Sequence, residues 1–245
     1  MVNDIAGNIR TVLEFYKELG FDRLPIEISS GVQGTTLNSK PLTQNSSIDK
    51  EAALYALRAE IGDCRRCKLS NGRTNIVFGE GNANASIMFI GEAPGEDEDI
   101  QARPFVGEAG EILTSLIGNM GKASGSNFTR EDVYIANIVK CRPPANQDPR
   151  EDEIAACLPF LERQIEIIAP GVIMALGKTA SHTLMGSETP LAKFSIVKAR
   201  GHFFEYKGIP VMPTFHPAYF LRNRKDKPLT WTDAQAVLKR LEEAR

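Results

Sequence analysis

The chain carries four cysteines, Cys64, Cys67, Cys141 and Cys157, and their spacing makes them the first residues to weigh. The C-x2-C pair at 64 and 67 is a two-thiolate clip. Cys141 and Cys157 supply two more soft ligands, so a single centre would account for every cysteine in the chain. Four sulfurs suit zinc or an iron–sulfur cluster. Zinc ribbons usually pair two C-x2-C clips, and the wide second pair here tilts the reading toward a cluster. The opposing reading makes Cys157 a small core residue of the periodic helix that holds Ile154, Leu158 and Leu161.

A second group follows the apolar run Ile87–Ile90. It comprises GEAPG (Gly91, Glu92, Ala93, Pro94, Gly95), the acidic run Glu96–Asp99 that includes Glu98, and RPFVGEAG from Arg103 to Gly110. A Gly-rich loop at the C-terminal end of a strand is where open α/β sheets bind ligands. The stretch lacks G-x-G-x-x-G and the G-K-S/T of a phosphate loop, so dinucleotide and triphosphate readings lose support. Phe105, flanked by Arg103, Pro104, Gly107 and Gly110, reads as an aromatic facing a ligand rather than one lost in a core.

Two single residues complete the set. Asn137 lies inside the apolar run YIANIVKC, where an amide is poorly favoured unless it has a partner. Its donor and acceptor groups match the N3–H and O4 edge of uracil, or part of the edge of another base, if the base is presented out of the stack. His216, in PTFHPAYFLRNR, sits at a strand-to-loop exit and can donate to a developing anion. After it, Tyr219, Phe220 and Leu221 place aromatic and apolar groups beside Arg222 and Arg224. An apolar wedge flanked by cations is what pushing into a base stack while holding phosphates requires.

The elements that must position these residues follow from periodicity. Apolar runs at Ile87–Ile90, Val133–Val139 and Val172–Leu176 alternate with helix-like segments near 108–120, 150–168 and 178–186, the pattern of an α/β class with a sheet layered between helices. His202–Tyr206, Lys207-Gly208 and Ile209–Thr214 read as a hairpin, followed by a helix near 230–243. A helix near 48–61, capped by Ser46 or Ser47, delivers the chain to Cys64. GKASGSN, 121–127, reads as a surface loop. Residues 3–20 have the spacing of an amphipathic helix, and 24–47 are rich in Ser, Thr, Gly, Asn and Pro. The expected organisation is therefore an N-terminal helix plus flexible linker over 1–47 and one domain over 48–245.

The 245 residues are enough to bury a core. The formal net charge of -2 argues against gripping nucleic acid with the whole surface, yet it is unevenly spread: residues 198–245 carry ten Lys or Arg against five Asp or Glu. The beginning, MVNDIAGNIR, has no apolar stretch behind a basic end, and the longest apolar run is interrupted by Pro170 and Gly171, so a cytoplasmic protein with no membrane partner is expected.

Taken jointly, CRRC, GEAPGEDED with RPFVGEAG, NIVKCRPP with a cysteine sixteen positions on, and GIPVMPTFHPAYFLR resemble the family 4 uracil-DNA glycosylases, the iron–sulfur branch of that superfamily. The match spans roughly 64–222. The resemblance implies a three-layer α/β/α sandwich with a mostly parallel sheet, a structural 4Fe–4S cluster on the four cysteines, and removal of uracil from DNA in base-excision repair; a monomer is expected. Carried over by position, Gly91, Glu92 and Ala93 border the uracil, Phe105 stacks on it, Asn137 reads its edge and His216 bonds O2. Glu98 falls where the family places a residue that crowds C5 and excludes thymine. Where other branches carry an Asp in the first loop, this chain has Ala93 beside Glu92, so Glu92 or the neighbourhood of Asn137 is left to orient the water. The family's two leucines after HPAY are here Phe220 and Leu221. A relative that captures uracil-DNA covalently would carry a His in the stretch that here reads CRPPANQDPRED, which has none. The non-enzyme alternative is a four-cysteine metal module in a DNA-binding or polymerase-associated partner.

Overall fold

Runs without polar alternation become strands covered on both faces. The six strands are β1 (Glu80–Gly81), β2 (Ile87–Gly91), β3 (Tyr134–Asn137), β4 (Val172–Leu176), β5 (Phe204–Tyr206) and β6 (Ile209–Thr214). Every residue of β2, β3 and β4 is buried, which is why they read as continuous apolar runs. This is a computed structural model that describes residues 49–125 and 128–243. The expected helix over 3–20 and the linker over 24–47 lie outside the described residues, and the chain divides into units Met1–Ser46 and Ser47–Arg245, of which the second carries the sheet.

The sheet order is β1-β3-β2-β4-β6-β5. Pairs β2/β3, β2/β4 and β4/β6 are parallel, and the outer strands β1 and β5 add antiparallel. Chain order reverses around β2, between β3 and β4, which is the crevice-forming switch point of such sheets. The β5–β6 hairpin turns through Lys207 and Gly208, both at positive φ (50° and 80°), as a two-residue primed turn demands.

Helices α1 (Lys50–Ile61), α2 (Glu96–Gln101), α3 (Glu108–Ala123), α4 (Glu151–Ile168), α5 (Lys178–Met185), α6 (Ile196–Ala199), α7 (Tyr219–Arg222) and α8 (Lys227–Glu243) complete the described elements, with short 3-10 turns between some of them. Alternate residues of the strands feed two cores. Met88, Ile90 and Ile173 pack with Leu57 of α1, Leu161 of α4 and Leu184 of α5. Ile87, Phe89 and Met174 pack with Leu113 and Ile117 of α3 and Val237 of α8. The result is the expected α/β/α sandwich. Among the described residues no helix is long and apolar enough to cross a membrane.

Two local expectations are corrected, and one element is new. The cap of α1 is Asp49, whose Oδ1 accepts from the backbone of Glu51 and Ala52 at 3.1 Å each; the expected caps, Ser46 and Ser47, lie outside the described residues. GKASGSN is only partly a loop: 121–123 finish α3, because Gly121 lets the helix lie directly on the Phe128 backbone, where a Cβ would collide. The acidic run forms α2, its four carboxylates in the first turn where the positive end of the helix dipole favours them.

Candidate active site and cysteine centre

The C-terminal ends of β2, β3 and β6 meet at one edge of the sheet, and the loops beyond them enclose a cavity of about 270 Å³. That is on the scale of one base and below the range usual for larger ligands. Its wall brings together Glu92, Ala93, Glu98, Phe105, Asn137 and His216, predicted from segments far apart in the chain. Gly91 lies beneath them. A Cβ there would strike both Asn137 Oδ1 and the Phe105 ring, so the absence of a side chain is what lets those two groups approach.

Asn137 is 1% exposed, and its Oδ1 has no hydrogen-bond partner. Among the described residues the only other buried side-chain polar atom so placed is Thr179 Oγ1. An unpaired buried acceptor costs about 1–3 kcal/mol, so the site is built to receive a donor. The β3 backbone is pinned: Ile138 N donates to Gly91 O at 2.9 Å, and the buried Lys140 ammonium donates to Asn137 O at 2.9 Å and to Gln164 Oε1.

His216 is half-buried, and loss of water pulls its pKa down to about 4, against the opposing pull of the Glu98 carboxylate. The ring is neutral at physiological pH. Its Nδ1 accepts from Ala218 N at 3.2 Å, which leaves the proton on Nε2 as a free donor. The Phe105 and His216 rings stand 5.5 Å apart.

Glu98 has a definite occupation. Its Oε1 accepts from Val106 N (2.8 Å) and Gly107 N (3.0 Å), and its Oε2 from Gly95 N (3.0 Å), so one carboxylate ties the first loop to the Phe105 loop. Burial lifts the Glu92 carboxyl above its ordinary range, opposed by Thr179 and Lys178 and reinforced by the charge of Asp148. The Thr179 hydroxyl lies near that carboxylate without meeting hydrogen-bond geometry.

Sequence reasoning missed Pro143, Asn146, Gln147 and Ala218, which also line the cavity. Ala145 and Asn146 both sit at positive φ (53° and 52°), and Arg142 fixes the Asn146 amide through Oδ1 at 2.8 Å. Asn in the left-handed region is the one available signal.

The expected wedge needs correction. Phe220 is 3% exposed and packs in an aromatic group with Phe215 and Tyr219, so it belongs to the interior. Tyr219 stacks on Phe215 at 4.6 Å and donates to Asp226 Oδ2 at 2.7 Å. Leu221, 42% exposed, is the apolar residue that α7 offers outward. Arg222 and Arg224 are exposed and form no ion pair among the described residues.

At the other end of the same stretch, Cys64, Cys67, Cys141 and Cys157 line one small cavity with Ile61, Ile76 and Phe160. Among the described residues no three His, Cys, Asp or Glu side chains are grouped tightly enough for a single metal ion. Three sulfurs already receive donors: Cys64 from Arg66 Nη1 (3.3 Å), Cys141 from Arg73 Nη1 (3.6 Å) and Cys157 from Lys140 N (3.3 Å). Burial pushes the Cys141 thiol up to about 12 and raises Cys157 as well, so thiolates here call for a cationic centre. The donor set, its enclosure and its N–H partners fit an iron–sulfur cluster.

With this geometry in place, comparison with known proteins places the chain in a class. The family described as "Uracil DNA glycosylase superfamily" matches residues 78–241. The type-4 uracil-DNA glycosylase of Saccharolobus solfataricus is 50% identical over 168 residues, covering 67% of this chain and 75% of the relative. That of Thermotoga maritima is 47% identical over 179 residues, 73% of this chain and 88% of the relative. The Sulfurisphaera tokodaii enzyme of the same name is 46% identical over 175 residues, 70% and 77% respectively. The chain belongs to the uracil DNA glycosylase superfamily, in its type-4 family.

Proposed function

We propose that this protein flips uracil out of DNA and hydrolyses its N-glycosidic bond, leaving an abasic site for base-excision repair. The observation that carries the reading is the buried Asn137 Oδ1, unpaired on the wall of a base-sized cavity. Uracil N3–H is the donor it lacks, and the same amide donates to O4. Cytosine has no proton at N3, so with the amide in this orientation it offers Asn137 Oδ1 no donor there. Phe105 stacks on the ring face, and Gly91, Glu92 and Ala93 border it.

Bond cleavage leaves a sugar cation and a uracil anion. The neutral His216 Nε2–H, aimed at O2, stabilises charge that appears only as the bond breaks, and needs no prior change of protonation. Glu92 orients the water that attacks the sugar cation; no Asp stands at Ala93 to do so. Glu98 fixes the loops and forms part of the wall against bulk at C5. Outside the cavity, Leu221 enters the vacated stack, Tyr219 props α7, and Arg222 and Arg224 hold phosphates.

Cys64, Cys67, Cys141 and Cys157 would hold a 4Fe–4S cluster, which would cross-link the end of α1, the chain after β3, and α4 without a redox step. The domain starts near Ser47, acts as a monomer, and works in the cytoplasm. A non-catalytic module would have no use for the unpaired amide and the free imidazole donor in one cavity.

The test is an end-labelled oligonucleotide with one uracil, incubated with purified protein, treated with alkali and run on a denaturing gel beside a thymine control. Strand scission at uracil alone is expected. Protein with an intact visible spectrum that leaves uracil-DNA whole would overturn the reading.

A further inference from the structure

The stacking residue of the cavity is held from outside it. Phe105 has a φ of 53°, a conformation that costs a bulky residue energy and persists only where its surroundings impose it. On one side the Glu98 carboxylate gathers the N–H groups of Val106 and Gly107. On the other, Arg130 Nη2 donates to Pro104 O at 2.6 Å and Arg130 Nη1 to Phe105 O at 3.0 Å. The guanidinium is oriented in turn by Glu80, whose Oε1 accepts from Nη2 at 2.6 Å and from Nε at 3.1 Å. Both side chains are largely buried, at 17% and 21% exposure, and neither lines the base cavity. A third support is steric: Gly110 lies so close beneath Phe105 O that a Cβ would collide with it.

We propose that Glu80 and Arg130 form a positioning clamp that sets the seat of Phe105 over the base, so that affinity for uracil is controlled by a pair that never touches it. The inference rests on the glycosylase reading above. A planar fork is needed, because two carbonyls and a carboxylate are bound at once; a lysine offers a point charge and cannot span them. The pair draws on the β1 edge strand and the segment before β3, which places the angle of the Phe105 ring under the control of the sheet.

The experiment measures KM and kcat on uracil-DNA, and the Ki of free uracil as product inhibitor, for wild type, Arg130→Gln, Arg130→Lys and Glu80→Gln, each also in a Phe105→Ala background. Arg130→Gln is expected to raise KM and the uracil Ki about five- to tenfold with kcat changed less than threefold, Arg130→Lys about half as far on a logarithmic scale, and each change is expected to have less than a twofold effect once Phe105 is Ala. Equal effects with and without the Phe105 ring, or an unchanged Ki in folded variants, overturn the clamp. If Arg130→Gln fails to fold, Arg130→Lys and Glu80→Gln carry the same comparison. Wild-type protein that does not release uracil sinks the glycosylase reading and the clamp with it, whereas active wild type with unaltered variants sinks the clamp alone.

Discussion

The base cavity and the cysteine centre hang from one short stretch of chain, Asn137 to Cys141, yet treat their polar atoms in opposite ways. Asn137 Oδ1 is buried without a partner, and His216 Nε2 is left as a free donor. Four residues on, Cys141 accepts from Arg73, and Cys157 and Cys64 accept from Lys140 N and Arg66. The lesson is one of occupancy. On the proposed reading, the group that waits for an exchanging ligand stays unsatisfied at a cost of about 1–3 kcal/mol, whereas the sulfurs that would hold a permanent cluster are furnished with donors from the start.

The contrast is broken most severely at the permanent end. Replacing Cys141 and Cys157 together by Ser is expected to abolish broad visible absorbance and to lower the melting temperature by on the order of 10 °C, since binding energy at such a centre is folding energy. Unchanged melting would make the cysteines mere core residues. At the exchanging end, His216→Ala should lower turnover about a hundredfold or more, equivalent to ~2.7–4 kcal/mol, while DNA affinity by fluorescence anisotropy stays nearly intact. Equal losses in both would remove the donor role.

A smaller effect is expected from Glu92→Gln, about tenfold in single-turnover rate, because an amide still orients water but cannot take its proton. A near-normal rate would relieve Glu92 of the task. The smallest concerns acid. In the folded protein His216 stays neutral down to about pH 4, whereas unfolded it gains a proton near 6.5, so this ring disfavours folding as pH falls through that window and contributes nothing above it. Wild type should therefore lose thermal stability between pH 6.5 and 4 more steeply than His216→Asn. Parallel curves would show that burial does not depress this titration.

Much of the sheet and most of the cavity were legible in the sequence, for a physical reason: strands buried on both faces are unbroken apolar runs, and a polar residue within one, such as Asn137, stands out. His216 and Phe105 announced themselves through rarity and flanking glycines. What escaped depends on long-range packing. Phe220 and Leu221 are neighbours of similar character, and only the aromatic group formed with Phe215 and Tyr219 decides which turns inward. Asn146 escaped because two successive left-handed residues, one of them Ala145, are imposed by the loop's closure and leave no mark in composition. Asp49 displaced the expected serines as a cap since any of several adjacent side chains could serve.

Gly91 sets how far this pocket can be altered. Because the place a Cβ would take there is filled by Asn137 Oδ1 and the Phe105 ring, every substitution at that position displaces the two groups that wall the cavity. A saturation library at 91 should return one tolerated residue, while libraries at Asn146, Gln147 and Ala218 along the rim keep the volume and vary its outline. Attempts to redirect the protein to another damaged base have their freedom there.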